Sequence, residues 1–258
     1  MHQKLVLKSA IAQTTTKPFA FSVPSIDVLF PGFKAGEFTV VYGPQTVTSL
    51  MSKLCLRAQL PDNHGGLDSN VVFIDTATSA SIKDILDTAE HLGLEPKAAL
   101  KRVTNMRAYT AYRLTSIITE KLKEAVETSN AKLVVISDIG CSFLSDNVDD
   151  QEARAVYSQI MSYLSNFAKK HRIIIVATYL SHENNRRNSI LQEITNQKAT
   201  SVLRFTKTPY TSEVELEKHP SYMLGVVDYI PEPQAVNDYS TSTNVETNLT
   251  YNDAIEIT

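Results

Sequence analysis

The stretch EFTVVYGPQTVTSL, residues 37–50, decides the fold. Its first half is an uninterrupted apolar, β-branched run, the pattern of a strand buried on both faces of a parallel sheet. Gly43 and Pro44 break that strand, and an apolar helical spacing begins at Ser49, so the segment predicts strand, tight turn and helix. This is the frame of a phosphate-binding loop, G-x-x-x-x-G-K-[ST]. In such a loop backbone N–H groups cradle the phosphates, the Lys reaches their outer oxygens and the Ser/Thr hydroxyl holds Mg²⁺. Aligned on Gly43, the second Gly is Thr48, the Lys is Ser49 and the metal hydroxyl is Leu50. Thr48 strains the loop if that position needs a positive φ, Ser49 supplies no cation, and Leu50 has no oxygen for a metal. Lys53, one turn on, could reach back to replace the cation; a solvated helix-surface charge is the plainer reading.

Outward from this segment, residues 70–75, 133–138 and 173–177 are further short apolar runs. Between them lie helical patterns over Ser49–Leu60, Ser81–Leu92, Ala111–Val126 and Asp149–Lys170, the last preceded by the capping candidates Asn147, Asp149 and Asp150. The alternation predicts an α/β fold: a mostly parallel central sheet with helices on both faces and its functional edge at the carboxyl ends of the strands. His182–Arg187 reads as a polar loop. Thr200–Phe205, Glu213–Lys218 and Met223–Ile230 then read as antiparallel strands at the C-terminal side of the sheet. Pro231 and Pro233 mark the end of the fold. The expected division is an N-terminal extension over 1–24, a core domain over 25–231 and an acidic, disordered tail over 232–258.

The 258 residues, 43% of them hydrophobic, suffice for one sizeable core. No run approaches membrane-spanning length and no signal-peptide core precedes Lys8, so the expected location is cytoplasmic. Cys55 and Cys141 sit in apolar settings that suit reduced thiols, and the six His and two Cys lack zinc-ligand spacing, so no metal site is expected. From Pro231 onward there are five carboxylates and no Lys or Arg; against −3 overall, the rest of the chain is near +2. A near-neutral body argues against strong nonspecific affinity for DNA, which needs clustered cations.

The segment SIDVLFPGFKAGEFTVVYGP (25–44) resembles the opening of the RecA/RadA recombinase core. VVFIDTA (71–77), HLGLEPKAALKRV (91–103), RAY (107–109), LVVISD (133–138), IIIVAT (173–178) and VELEKHPSYMLGVVDYI (214–230) follow in the order of that family's core segments. The resemblance spans roughly residues 24–231 and is to an archaeal RadA paralog. It implies a RecA-like fold, with Asp138 at the Walker B position. The water-orienting Glu of the family falls at Ala77, and the family's Thr-Asn-Gln step reads Thr178-Tyr179-Leu180. No counterpart of the family's helical domain or Phe-x-x-Ala tether is legible before Ser25, so the usual filament is not expected.

The resemblance therefore implies a pseudo-ATPase that needs no cofactor and acts as an accessory protein in homologous recombination and DNA repair. Its implied partners are a RadA-type recombinase or another paralog, in hetero- or homo-oligomers, and single- or double-stranded DNA, with no membrane. The loop after the Walker B strand is acidic. The second family loop offers Tyr179, His182, Arg186 and Arg187 as DNA-binding candidates, an aromatic face with cations, although a solvated loop explains the same residues equally well. An unconventional ATPase using Asp138 and Lys53, and a scaffold without DNA affinity, remain as alternatives.

Overall fold

A computed structural model describes residues 17–76, 81–144, 148–208 and 210–229. In chain order the elements are α1 (Pro24–Leu29), β1 (Phe38–Gly43), α2 (Val47–Ala58), β2 (Asn70–Asp75), α3 (Ser81–His91), α4 (Pro96–Lys101) and β3 (Val103–Arg107). They continue with α5 (Ala111–Ser116), α6 (Leu122–Ser129), β4 (Ala131–Ser137), α7 (Asp150–His171), β5 (Ile174–Leu180), α8 (Arg186–Lys198), β6 (Ser201–Lys207), β7 (Ser212–Lys218) and β8 (Gly225–Asp228). The strands form one sheet in the order β3-β2-β4-β5-β1-β6-β7-β8. It is parallel from β3 to β6 and antiparallel from β6 to β8.

Two apolar clusters flank the sheet, as the period of two along each strand requires. Phe38, Val40 and Tyr42 of β1 point to one face and Val41 to the other. On the first face α7 buries Tyr157, Ile160, Leu164 and Phe167, with α8 adding Leu191 and Ile194. On the second, α2 buries Val47, Leu50, Met51 and Leu54. Phe19 and Phe21, which the sequence suggests lie in an extension ahead of the core, belong to this second cluster, and Phe19 bridges Phe33.

Three local features differ from the sequence expectation. The helix expected over Ala111–Val126 is interrupted by a π-helical turn at Ile117–Lys121. The loop expected at His182–Arg187 ends early, because Asn185 accepts a hydrogen bond from the Asn188 N–H and starts α8 at Arg186. The short edge strand β3 was hidden because only Val103 in it is buried, so it lacks the apolar run that marks the central strands.

Candidate functional site at the carboxyl ends of β1, β4 and β5

The parallel register brings Gly43 beside Leu180 and places the end of β4 next to β5, so the phosphate-loop frame and Asp138 meet at one edge. The turn after Gly43 runs directly into α2. Val47 N–H donates to the Pro44 carbonyl (3.0 Å) and Thr48 N–H to the Gln45 carbonyl (3.1 Å), while Pro44 has no N–H to offer. Thr48 Oγ1 donates to the same Gln45 carbonyl at 2.7 Å. These internal bonds engage amides that a phosphate cradle turns toward its anion. Thr48 lies in the first turn of α2 and is absent from the positive-φ residues, so the strain expected there does not arise.

Above the strand end, Val47 occupies the space next to Gly43: a Cβ on Gly43 would lie 2.6 Å from Val47 Cγ1 and 3.0 Å from Phe205 Cβ. Leu50, at the metal-hydroxyl position, is 5% exposed and faces the apolar cluster. Ser49 is half-buried, and both Ser49 and Lys53 interact with neighbours in the fold.

Asp138 is 2% exposed and adopts φ +43°, a left-handed conformation that aspartate tolerates better than most residues. Its Oδ1 contacts His182 Nε2 at 2.9 Å and accepts the Leu180 N–H at 3.2 Å. The Cys141 thiol hydrogen-bonds the same carboxylate, and burial followed by that negative charge pushes the thiol pKa up to about 11. The Asp138 N–H donates to Thr178 Oγ1 (2.8 Å), and its carbonyl accepts from Thr76 Oγ1 (2.7 Å). The side chain expected to face a hydrated metal is thus bound on several sides by the protein itself. Ala77 lies outside the described residues. Next to it, Asp75 accepts from Ser137 Oγ and Thr76 N–H donates to that same Oγ, each at 3.2 Å, which ties the ends of β2 and β4 together.

Of the four DNA-binding candidates, the structure leaves one on the surface without an inward role. Tyr179 is fully buried; its hydroxyl donates to Asn188 Oδ1 (2.7 Å) and its ring packs 5.1 Å from Tyr42, so it offers no face to a nucleotide base. His182 serves Asp138. Arg187 binds Asp150 Oδ1 and donates from Nη2 to the Val148 carbonyl at 2.8 Å. Arg186 is exposed in the first turn of α8. Asp149, in the acidic loop, caps α7 by accepting from Gln151 N–H and Glu152 N–H.

Cys141, Thr178 and Asn188 are partners that sequence reasoning missed. Asn188 could have been found from its spacing to Asn185, the cap three residues earlier. Thr178 carries no such signal, because it reaches Asp138 across the pairing of β4 with β5, whereas Cys141 lies only three residues after Asp138, in a turn closed by its N–H on the Asp138 carbonyl (3.1 Å). Among the described residues no group of three His, Cys, Asp or Glu side chains is arranged to hold a metal ion, and no helix is long and apolar enough to cross a membrane.

The strand order, the turn between β1 and α2, and an aspartate at the end of β4 define the class: a RecA-like α/β core. The chain belongs to the Rad51 family, whose model matches residues 18–200. It is 25% identical over 160 residues to the DNA repair and recombination protein RadA of Aeropyrum pernix, covering 61% of this chain and 50% of that protein. It is 24% identical over 178 residues to the meiotic recombination protein DLH1 of Candida albicans, covering 67% of this chain and 55% of that protein. The chain thus spans about half the length of the curated relatives it matches.

Proposed function

We propose that this chain is a Rad51-family paralog with a degenerate phosphate loop, which works by binding rather than by hydrolysing ATP, as an accessory protein in homologous recombination and DNA repair. The observation that carries this reading is the closed turn after Gly43, whose Val47 and Thr48 amides are bonded to the loop's own carbonyls. The aliphatic, buried Leu50 and the engagement of Asp138 by His182, Leu180 and Cys141 support it, because the first offers Mg²⁺ no oxygen and the second already bonds within the protein. A core of this kind can still present the family's subunit-contact surfaces, so a RadA-type recombinase, another paralog or a second copy is the proposed partner. Arg186 is the DNA contact left to the second family loop.

The test is radiolabelled ATP turnover by the whole chain, alone and with a RadA-type recombinase, alongside co-purification of the two proteins. The expected result is association with no turnover attributable to this chain. The rival reading, an unconventional ATPase, has the retained carboxylate of Asp138 in its favour. Turnover lost on Asp138→Ala in a variant that remains folded would establish that rival and overturn the proposal.

A further inference from the structure

From Ala153 to His182 the chain contains no Asp or Glu, and Lys169, Lys170 and Arg172 cluster at the end of α7. All three are exposed, and among the described residues none forms an ion pair. A helix end carries only about half a negative elementary charge, so three cations far exceed what the α7 dipole calls for. Arg172 also sits at φ +52°, where Gly or Asn would be the unstrained choice; an arginine there costs roughly 1 kcal/mol of backbone strain. A cation kept in a conformation that disfavours it points to a use for the cation.

The second observation lies on the same helix. Tyr163, Phe167 and His171, spaced four residues apart, form a ladder of stacked rings. The Tyr163 and Phe167 centroids are 5.8 Å apart at 18°, and those of Phe167 and His171 are 4.2 Å apart at 28°. The ladder ends at His171, which is half-buried and lies within the cationic cluster. The platform is fixed from below: Gly36 N–H donates to the Ile173 carbonyl (2.9 Å), and a Cβ on Gly36 would lie 3.7 Å from the Lys169 Cα.

We propose that the C-terminal end of α7 is a binding site for single-stranded nucleic acid, at the opposite edge of the sheet from Gly43 and Asp138. Lys169, Lys170 and Arg172 neutralise phosphates, and one base extends the ring ladder at His171. Stacking with flanking cations is the chemistry that holds a single strand without regard to sequence. This rests on the DNA-binding part of the function proposed above and adds a contact remote from Arg186 and the second family loop.

The test is fluorescence anisotropy of a labelled oligodeoxythymidylate with the whole chain, from about 50 to about 200 mM salt. The variant Lys169→Gln, Lys170→Gln, Arg172→Asn removes three cations while placing a residue that tolerates positive φ at 172. It should weaken binding at least tenfold and flatten the slope of log K against log salt by about 2. His171→Ala should weaken binding about tenfold and leave the slope unchanged, since it removes stacking and no charge. Unaltered binding by a triple variant with a native circular dichroism spectrum overturns the assignment, as does absence of wild-type binding at low salt. Displacement of the oligonucleotide by poly-glutamate as effectively as by unlabelled oligonucleotide also overturns it, because it marks a general polyanion surface. Co-purification of the triple variant with the recombinase is expected to be intact; its loss in the wild type would strike the accessory reading instead.

Discussion

Replacing Asp138 separates a structural carboxylate from a metal ligand. In the folded chain its Oδ1 accepts the Leu180 N–H and contacts His182 Nε2, and the Cys141 thiol bonds the same group. Asp138→Ala leaves the buried Leu180 N–H without an acceptor, at a cost of about 1–3 kcal/mol. It removes the hydrogen bonds to His182 and Cys141 as well, and alanine at φ +43° adds roughly 1 kcal/mol of backbone strain. The sum is about 3–5 kcal/mol. Asp138→Asn keeps an oxygen for Leu180 and tolerates the left-handed backbone, so it should cost about 1–2 kcal/mol. Urea unfolding followed by circular dichroism reads the difference: with a slope of about 3 kcal/mol per molar, the alanine variant should unfold at least about 1 M earlier than the wild type. A carboxylate awaiting a metal behaves in the opposite way, since removing it relieves an unneutralised charge. An unchanged or raised midpoint for Asp138→Ala would refute the reasoning.

Three further predictions follow from the same structure. Gly140→Ala places a Cβ 2.6 Å from the Tyr179 ring, which is itself held by Asn188, so it should destabilise the fold by about 1–3 kcal/mol in a thermal melt. His219 is held neutral, its pKa lowered to about 4 by burial and then by Lys34. Between pH 6.5 and 4 the unfolded chain therefore binds the extra proton first, and this contribution to stability is lost as pH falls through that window. Urea midpoints at pH 7.5 and 5 should show the loss, and His219→Asn should reduce it. The Cys141 pKa, raised from 9.0 to about 11, leaves on the order of a hundredfold less thiolate at neutral pH than an unperturbed cysteine. Alkylation of Cys141 by iodoacetamide should be correspondingly slow in the native chain and become fast in urea; fast native labelling would contradict the Asp138 contact.

Much of the fold was legible because burial on both faces leaves a continuous apolar run. β1, β2, β4 and β5 are the most buried strands, and their positions in the sequence agree with the structure to within a few residues. The long helix α7 and the three closing strands were legible for a different reason, the period of their apolar residues. The start of α8 was not, since Arg186 to Gln197 is polar over most of its surface and only its Asn185 cap announces it. The candidate site was legible in part. Residue types at 43–50 are read from the sequence alone, but the helical start at Val47 and the inward packing of Leu50 depend on how α2 meets β1 and β6.

The sequence by itself determined the alternation of strands and helices, the absence of Lys from residues 43–50, and the acid-free run from Ala153 to His182 that contains Lys169, Lys170 and Arg172. These are properties of residue type and spacing along one chain. Only the tertiary structure decided which polar groups face solvent and which face one another. Tyr179, His182 and Arg187 look alike in sequence to an exposed cationic and aromatic loop, yet Asn188, Asp138 and Asp150 hold them inward. For His182 and Arg187 the partner is fixed by the pairing of β4 with β5 and the packing of α7 on α8, which join residues about forty positions apart and leave no local trace, while Tyr179 finds Asn188 nine residues on only because α8 folds back over the end of β5.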